Sequence, residues 1–180
     1  MKKLDSVTRV LAKILEIGHW IGAVSMVVVF VLSLFMGTGV LQEVTMEDFG
    51  ASLITYGFEV EIVDAVGQVS MAGLRLFCVG AFLILGLMAM VFRNIYLILK
   101  KSQNTTPFQK DNVRMVREIG IFLIAVPIIS LIMSMVVRGV AGLETSSIGL
   151  SSFMVGLAVL CLSQAFARGV ELETETDGLL

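Results

Sequence analysis

The sequence predicts an all-α integral membrane protein with four transmembrane helices, both termini in the cytoplasm, and a small extracytoplasmic β-hairpin between helices 1 and 2. Three observations predict this fold. Hydrophobic residues make up 57% of the 180 residues, above the ~45–50% that is typical of soluble domains. These residues are concentrated in four long apolar runs. Lysine and arginine cluster on one side of the runs, and acidic residues fill the long loop on the other side.

Four spans are predicted, over residues 17–36, 71–97, 119–137 and 148–167. Each is close to the ~20 residues that a helix needs to cross ~30 Å of hydrocarbon. The backbone of a span must satisfy its own hydrogen bonds, because lipid offers no partners, and a helix does this within one segment. A length of 180 residues suits a single membrane domain.

The orientation follows from the basic residues near the span ends. Of the 13 Lys and Arg residues, all but Arg75 and Arg138 lie near the N-terminus, the middle loop or the start of the tail. Cytoplasmic segments are enriched in Lys and Arg. Both termini and residues 98–118 are therefore predicted to be cytoplasmic, in a multi-pass protein of the cell (inner) membrane.

Residues 1–16 are predicted to form an interfacial amphipathic helix before the first span. Val7, Leu11 and Ile14 recur at helical spacing on one face, and Arg9 and Lys13 lie on the opposite face. Basic amphipathic segments of this kind lie along the lipid headgroups.

The outer loop, residues 37–70, contains six acidic residues and no Lys or Arg. Apolar and polar residues alternate over 54–62, and this period of two predicts one half-buried strand. A second strand is predicted over 40–46, with 47–51 as the connection. The carboxylates lack the spacing of a calcium loop and are interpreted as a solvated acidic face. Residues 138–147 are predicted to be a short outer loop.

The cytoplasmic segment of residues 98–118 contains a helix start at Thr106-Pro107, where Thr is the N-cap and Pro the first helical residue. On this helix Lys110, Arg114 and Arg117 form one basic stripe. Two interpretations remain open: contact with anionic lipid headgroups, or a docking surface for an acidic protein partner. Residues 168–180 are predicted to be an acidic cytoplasmic tail.

Two further sets of residues are singled out inside the spans. Small residues allow close helix packing, within a bundle or between copies of the chain, and the candidates are Gly18, Gly22 and Gly156. Intramembrane polar side chains are the candidates for a transport path, and they are His19, Ser130, Ser134 and Gln164.

The sequence favours a non-enzymatic protein that acts through protein contacts. It contains no C-x-x-C, H-E-x-x-H or Walker motif, and one histidine cannot form a multi-histidine metal or haem site. No catalytic residue, metal or cofactor is therefore expected. The expected partners are the lipid bilayer and a cytoplasmic or membrane protein, without direct nucleic-acid binding. The alternative is a small transporter or pore that acts as a homo-oligomer.

Short motifs in the second half are similar to those of a known family. They are Thr106-Pro107-Phe108, Asn112-Val113, Arg117, Ile119-Gly120, Gly156-Leu157, Leu160, Phe166, Gly169 and Leu172. On these residues, from Thr105 to the C-terminus, the chain resembles the small bacterial membrane proteins called domain of unknown function 2975. The resemblance implies no catalytic residues. Genes of that family often lie beside small helix-turn-helix regulators, which implies a membrane partner of a regulator.

Overall fold

A computed structural model of the chain describes residues 2–35, 52–63, 69–101, 110–147 and 150–177. These residues form four long helices and three short strands. In chain order they are α1 (Lys2–Phe35), β1 (Ser52–Thr55), β2 (Phe58–Glu61), α2 (Met71–Lys101), α3 (Lys110–Ala141), β3 (Thr145–Ser147) and α4 (Leu150–Asp177).

All four helices are long and apolar enough to cross a membrane, which confirms the prediction of a multi-pass membrane protein. At ~1.5 Å per residue, the 34 residues of α1 extend about 51 Å. This length exceeds the ~30 Å of the hydrocarbon core, so the helix continues past the apolar layer. The predicted helix start at Thr106-Pro107 lies outside the described residues.

Helix α1 is continuous where the sequence analysis divides it into residues 1–16 and 17–36. No helix end occurs at Glu16. Val7 and Leu11 are exposed, whereas Ala12 and Glu16 are buried. Ala12 and Glu16 therefore face the protein, whereas Val7 and Leu11 face outward.

The predicted β-hairpin exists, but its strands are not the predicted ones. Residues 54–62 do not form one strand, because the chain reverses at Tyr56 and Gly57 to form the antiparallel pair β1 and β2. Both turn residues have positive φ, 46° and 81°, as a two-residue hairpin turn of type I′ requires. The alternation of apolar and polar residues continues through the turn, so the pattern does not indicate where the chain reverses. The predicted strand over 40–46 and its connection lie outside the described residues.

A third strand was missed by the sequence analysis. β3 lies in the segment that was predicted to be a short outer loop, and it pairs antiparallel with β2, with Phe58 opposite Ser147 and Val60 opposite Thr145. The sheet order is β1-β2-β3. An isolated two-stranded hairpin is only marginally stable, and the third strand provides β2 with a neighbour on each side.

The chain divides into two compact units. The first unit contains residues 1–19, 87–125 and 151–180, and the second contains 20–86 and 126–150. In the second unit, Phe58 and Val60 of the central strand are fully buried. The Phe58 ring is stacked on Phe77 of α2, with ring centroids 5.6 Å apart. The sheet therefore packs its apolar face on a helix.

Candidate functional site

The basic stripe, defined as Lys110, Arg114 and Arg117, lies on the first turns of α3 in the first unit. All three residues are exposed. Arg114 donates a hydrogen bond of 2.9 Å to the carboxylate of Glu118. Within the described part of the chain, Lys110 and Arg117 have no ion-pair partner. Among the described residues, the stripe therefore presents two positive charges without an ion-pair partner and a third that is paired.

Two polar contacts link the end of α2 to the start of α3. Lys101 donates to Asp111 at 2.8 Å, and the amide of Asn94 donates to Glu118 at 3.1 Å. Asn94 is buried. These four residues were not predicted as a group from the sequence. Only the (i, i+4) spacing of Arg114 and Glu118 was a signal in the sequence.

The two acidic groups of this region are stabilised in their charged form. Both precede the uncharged stretch that begins at Ile119, and thus lie outside the predicted span. The hydrogen bond and positive charge of Lys101 lower the pKa of Asp111. The hydrogen bond from Arg114 lowers the pKa of Glu118, with a smaller contribution from Asn94, although desolvation acts in the opposite direction. Both carboxylates are therefore ionised at neutral pH.

A cleft of about 380 Å³ opens between α2 and α3 within the first unit, and we call it the polar cleft. Apolar side chains of Met90, Leu97 and Met115 contribute to its walls. Its polar lining consists of Arg93, Asn94, Lys101, Asp111, Arg114 and Glu118.

The predicted intramembrane polar residues are divided between the two units. His19 belongs to the first unit, where its Nδ1 donates to the carbonyl of Leu15 at 2.6 Å and its ring lies 4.9 Å from that of Phe92. Gln164 is exposed, in the same unit. The local hydrogen bond of His19 to its own helix fixes the ring at the helix surface.

Ser130 and Ser134 are buried in the second unit, one helical turn apart on α3. Neither hydroxyl has a hydrogen-bond partner among the described residues. The backbone carbonyl of Ser134 accepts a hydrogen bond of 3.4 Å from the Thr145 hydroxyl. A buried hydroxyl without a partner costs free energy, so these two groups are unusual features of the span.

The three predicted packing glycines have different surroundings. A Cβ atom at Gly18 would meet nothing within 4 Å, and one at Gly22 would touch a methyl group of Leu85 at 3.4 Å. Gly156 is in close contact with α3, because a Cβ there would lie 3.1 Å from the carbonyl oxygen of Gly120. The sequence analysis did not select Gly120 as a packing residue, although the family resemblance included it.

Among the described residues, no group of three or more His, Cys, Asp or Glu side chains is placed to hold a metal ion. Cys78 is buried, Cys161 is exposed, and both are free thiols.

Comparisons with known proteins identify a family but no characterised relative. No curated protein and no solved structure matches the chain. The family model described as "Protein of unknown function (DUF2975)" matches residues 65–178. This match covers more than half of the chain, and it starts well before the second-half motifs, so that α2 is included, whereas β1 and β2 lie before it. The chain therefore belongs to the DUF2975 family.

Proposed function

We propose that the protein is a non-enzymatic membrane protein of the cell (inner) membrane, and that its basic stripe binds an acidic surface of a protein partner. The observation that supports this function is the exposure of Lys110 and Arg117 without ion-pair partners in the described chain. An uncompensated basic surface attracts a complementary acidic one and accelerates their encounter.

The proposed orientation has both termini and the basic stripe in the cytoplasm. The distribution of Lys and Arg supports it, because basic residues near span ends are retained on the cytoplasmic side. In this orientation the stripe faces soluble partners, including regulators of the kind implied by the family resemblance.

Contacts between α2 and α3 make the stripe a rigid binding surface. The first turn of α3 is connected to α2 through Lys101 and Asp111, and the third turn through Asn94 and Glu118. These contacts hold the helix that presents the stripe. A pre-organised surface loses less conformational entropy when it binds.

The experiment is an affinity capture of the tagged protein in mild detergent from its native host, with the bound proteins identified and counted by mass spectrometry. The test variant is Lys110→Glu/Arg117→Glu, which reverses the two unpaired charges and leaves the Arg114–Glu118 ion pair intact. The control variant is Arg9→Glu/Arg168→Glu, which makes the same charge change on other helices of the first unit.

The proposal expects one stoichiometric partner that the control retains and the test variant loses, with equal membrane insertion of all three proteins. Equal retention of the partner by the test variant would show that the stripe is not the binding surface. A homogeneous self-oligomer without a second protein would contradict a partner-binding role.

One observation favours the alternative, a small oligomeric transporter or pore. Ser130 and Ser134 are buried on one face of α3, and their hydroxyls lack partners among the described residues. Hydroxyls in this state suit the lining of a hydrated path. The test is solute flux and conductance in proteoliposomes. If the protein is a pore, the wild type gives solute flux or conductance, and Ser130→Ala/Ser134→Ala changes it. The absence of flux and conductance in the wild type would reject this alternative.

A further inference from the structure

We propose that the polar cleft between α2 and α3 binds the phosphate-bearing headgroup of an anionic phospholipid. This function differs from the binding of a protein by the stripe, because Lys110 and Arg117 do not line the cleft. Arg114 belongs to both, and its guanidinium is paired with Glu118. The shared chemistry is recognition of a phosphate anion, and a membrane lipid is the source to which the geometry points.

Among the described residues, the charges around the cleft leave one cation without an ion-pair partner. Its lining contains three basic groups and two carboxylates, which gives a formal net charge of +1. Lys101 is bonded to Asp111, and Arg114 to Glu118. Arg93 is exposed and forms no ion pair with any residue that the structure describes. A phosphodiester has one negative charge, which would neutralise the cleft through a bidentate bond to this guanidinium.

The carboxylates of the cleft accept hydrogen bonds from side chains other than Arg93. Asp111 accepts from Lys101, while Glu118 accepts from both Arg114 and the buried amide of Asn94. Neither carboxylate forms an ion pair with Arg93, so its guanidinium retains hydrogen-bonding capacity for a ligand. Arginine is the preferred side chain for planar, bidentate recognition of phosphate.

The size and lining of the cleft suit a molecule with a polar end and an apolar body. Its volume of about 380 Å³ falls within the ~300–1,000 Å³ range of small-molecule sites. Met90, Leu97 and Met115 provide apolar surface beside the charged groups. A phospholipid presents both kinds of surface at once, whereas a free phosphate ion would leave the apolar wall without a ligand.

The end of α2 has the composition of a helix at the lipid headgroups. The ring of Tyr96 has the ammonium groups of Lys13 and Lys100 at 5.1 and 6.0 Å from its centroid. Tyrosine and lysine are enriched where a span meets the headgroup layer. On α3 the uncharged span begins at Ile119, directly after Glu118 of the cleft. In the proposed topology the cleft lies where the spans meet the headgroup layer, which contains the lipid phosphates.

The test measures lipids that remain bound to the purified protein, by native mass spectrometry after exchange into detergent with phosphatidylglycerol or phosphatidylcholine. The test variant is Arg93→Gln and the conservative variant is Arg93→Lys. The matched control is Arg168→Gln, which removes one exposed positive charge from α4 in the same unit. A parallel arm adds water-soluble glycerol 3-phosphate as the competitor. Thermal unfolding with and without phosphatidylglycerol provides a second readout.

The proposal expects wild type and Arg168→Gln to retain phosphatidylglycerol over phosphatidylcholine. Loss of a charge-assisted hydrogen bond should weaken retention by Arg93→Gln about ten-fold or more, with partial recovery in Arg93→Lys. The thermal stabilisation by phosphatidylglycerol should disappear in Arg93→Gln alone. Equal retention of both lipids, or unchanged retention by Arg93→Gln, would overturn the proposal. Displacement of phosphatidylglycerol by an equal concentration of glycerol 3-phosphate would overturn the lipid as the source.

Discussion

At the residue scale, Gly156 marks a point where two helices touch through their backbones. A Cβ at this position would lie 2.7 Å from a side-chain carbon of Ile124, 3.0 Å from its backbone nitrogen and 3.1 Å from the carbonyl oxygen of Gly120. Backbone atoms cannot rotate away as side chains can. Small residues permit such close contacts between membrane helices.

We therefore expect Gly156→Ala to reduce the free energy of unfolding by about 1–3 kcal/mol, the usual cost of overpacking. Gly18→Ala is the matched control, because its added methyl group would meet nothing within 4 Å. Thermal unfolding in a single detergent measures both. A midpoint for Gly156→Ala equal to that of Gly18→Ala would show that α3 and α4 are not packed as described.

A second residue, Arg75, has a structural role that the charge pattern does not reveal. It is one of two basic residues on the acidic side of the predicted topology, and in the structure it donates to the backbone carbonyl of Ser33 at 2.7 Å. Ser33 is fully buried in the last turn of α1. A positive charge at a helix C-terminus satisfies a carbonyl that has no partner within the helix.

Replacing this side chain by an apolar one should leave the Ser33 carbonyl without its donor. We expect Arg75→Met to lower the free energy of unfolding by about 1–3 kcal/mol. Arg138→Met, which removes an exposed arginine with a longer contact of 3.3 Å to Thr145, should have a smaller effect. Chemical unfolding in detergent can compare the two variants, and a larger loss for Arg138→Met would contradict the capping role.

At the element scale, the sheet depends on the central strand β2. The Phe58 side chain is fully buried and stacked on Phe77, whereas Ile54 of β1 is 65% exposed. We expect Phe58→Ala to reduce stability by about 3–5 kcal/mol through the cavity that it creates, and Ile54→Ala to cost much less. Limited proteolysis of the sheet region would report the difference. Equal protection of both variants would show that the sheet is not anchored through Phe58.

The sheet also shows what the alternating pattern over residues 54–62 was able to predict. The pattern identified extended structure, and of its five apolar residues Phe58, Val60 and Ile62 are buried, whereas Ile54 and Tyr56 are exposed. It did not identify the reversal at Tyr56-Gly57, because the apolar spacing is the same on both sides of the turn. The strand β3 was missed because its three residues, Thr145–Ser147, are polar and are defined only by pairing with β2.

At the scale of the whole molecule, the charges decide the orientation that we propose. The net charge is only −2, but the basic and acidic residues are separated along the chain. In a background without native cysteines, we expect a membrane-impermeant maleimide to label Ser146→Cys in intact cells. We expect Lys110→Cys to react only after the membrane is opened, since it lies near the proposed cytoplasmic end of α3.

Both positions are exposed in the structure. A difference in their labelling therefore reports the side of the membrane on which each lies, and not a difference in burial. Full labelling of both sites after permeabilisation is the control. Labelling of Lys110→Cys, but not of Ser146→Cys, in intact cells would reverse the orientation and place the basic stripe outside.

The sequence by itself determined the class of the protein, the number of its spans and its family. These properties depend on the length and spacing of the apolar runs and on local motifs. A single helix satisfies its backbone hydrogen bonds without neighbouring segments, so each span can be predicted by itself. The tertiary structure decided which side chains meet: the pairing of Lys101 with Asp111, the contact of Gly120 with Gly156, and the addition of β3 to the sheet. Such contacts join residues that are distant in the chain, and helical periodicity contains no information about the partner of a given face. The polar cleft arises in this way, from two helix ends that the sequence shows only as charged segments.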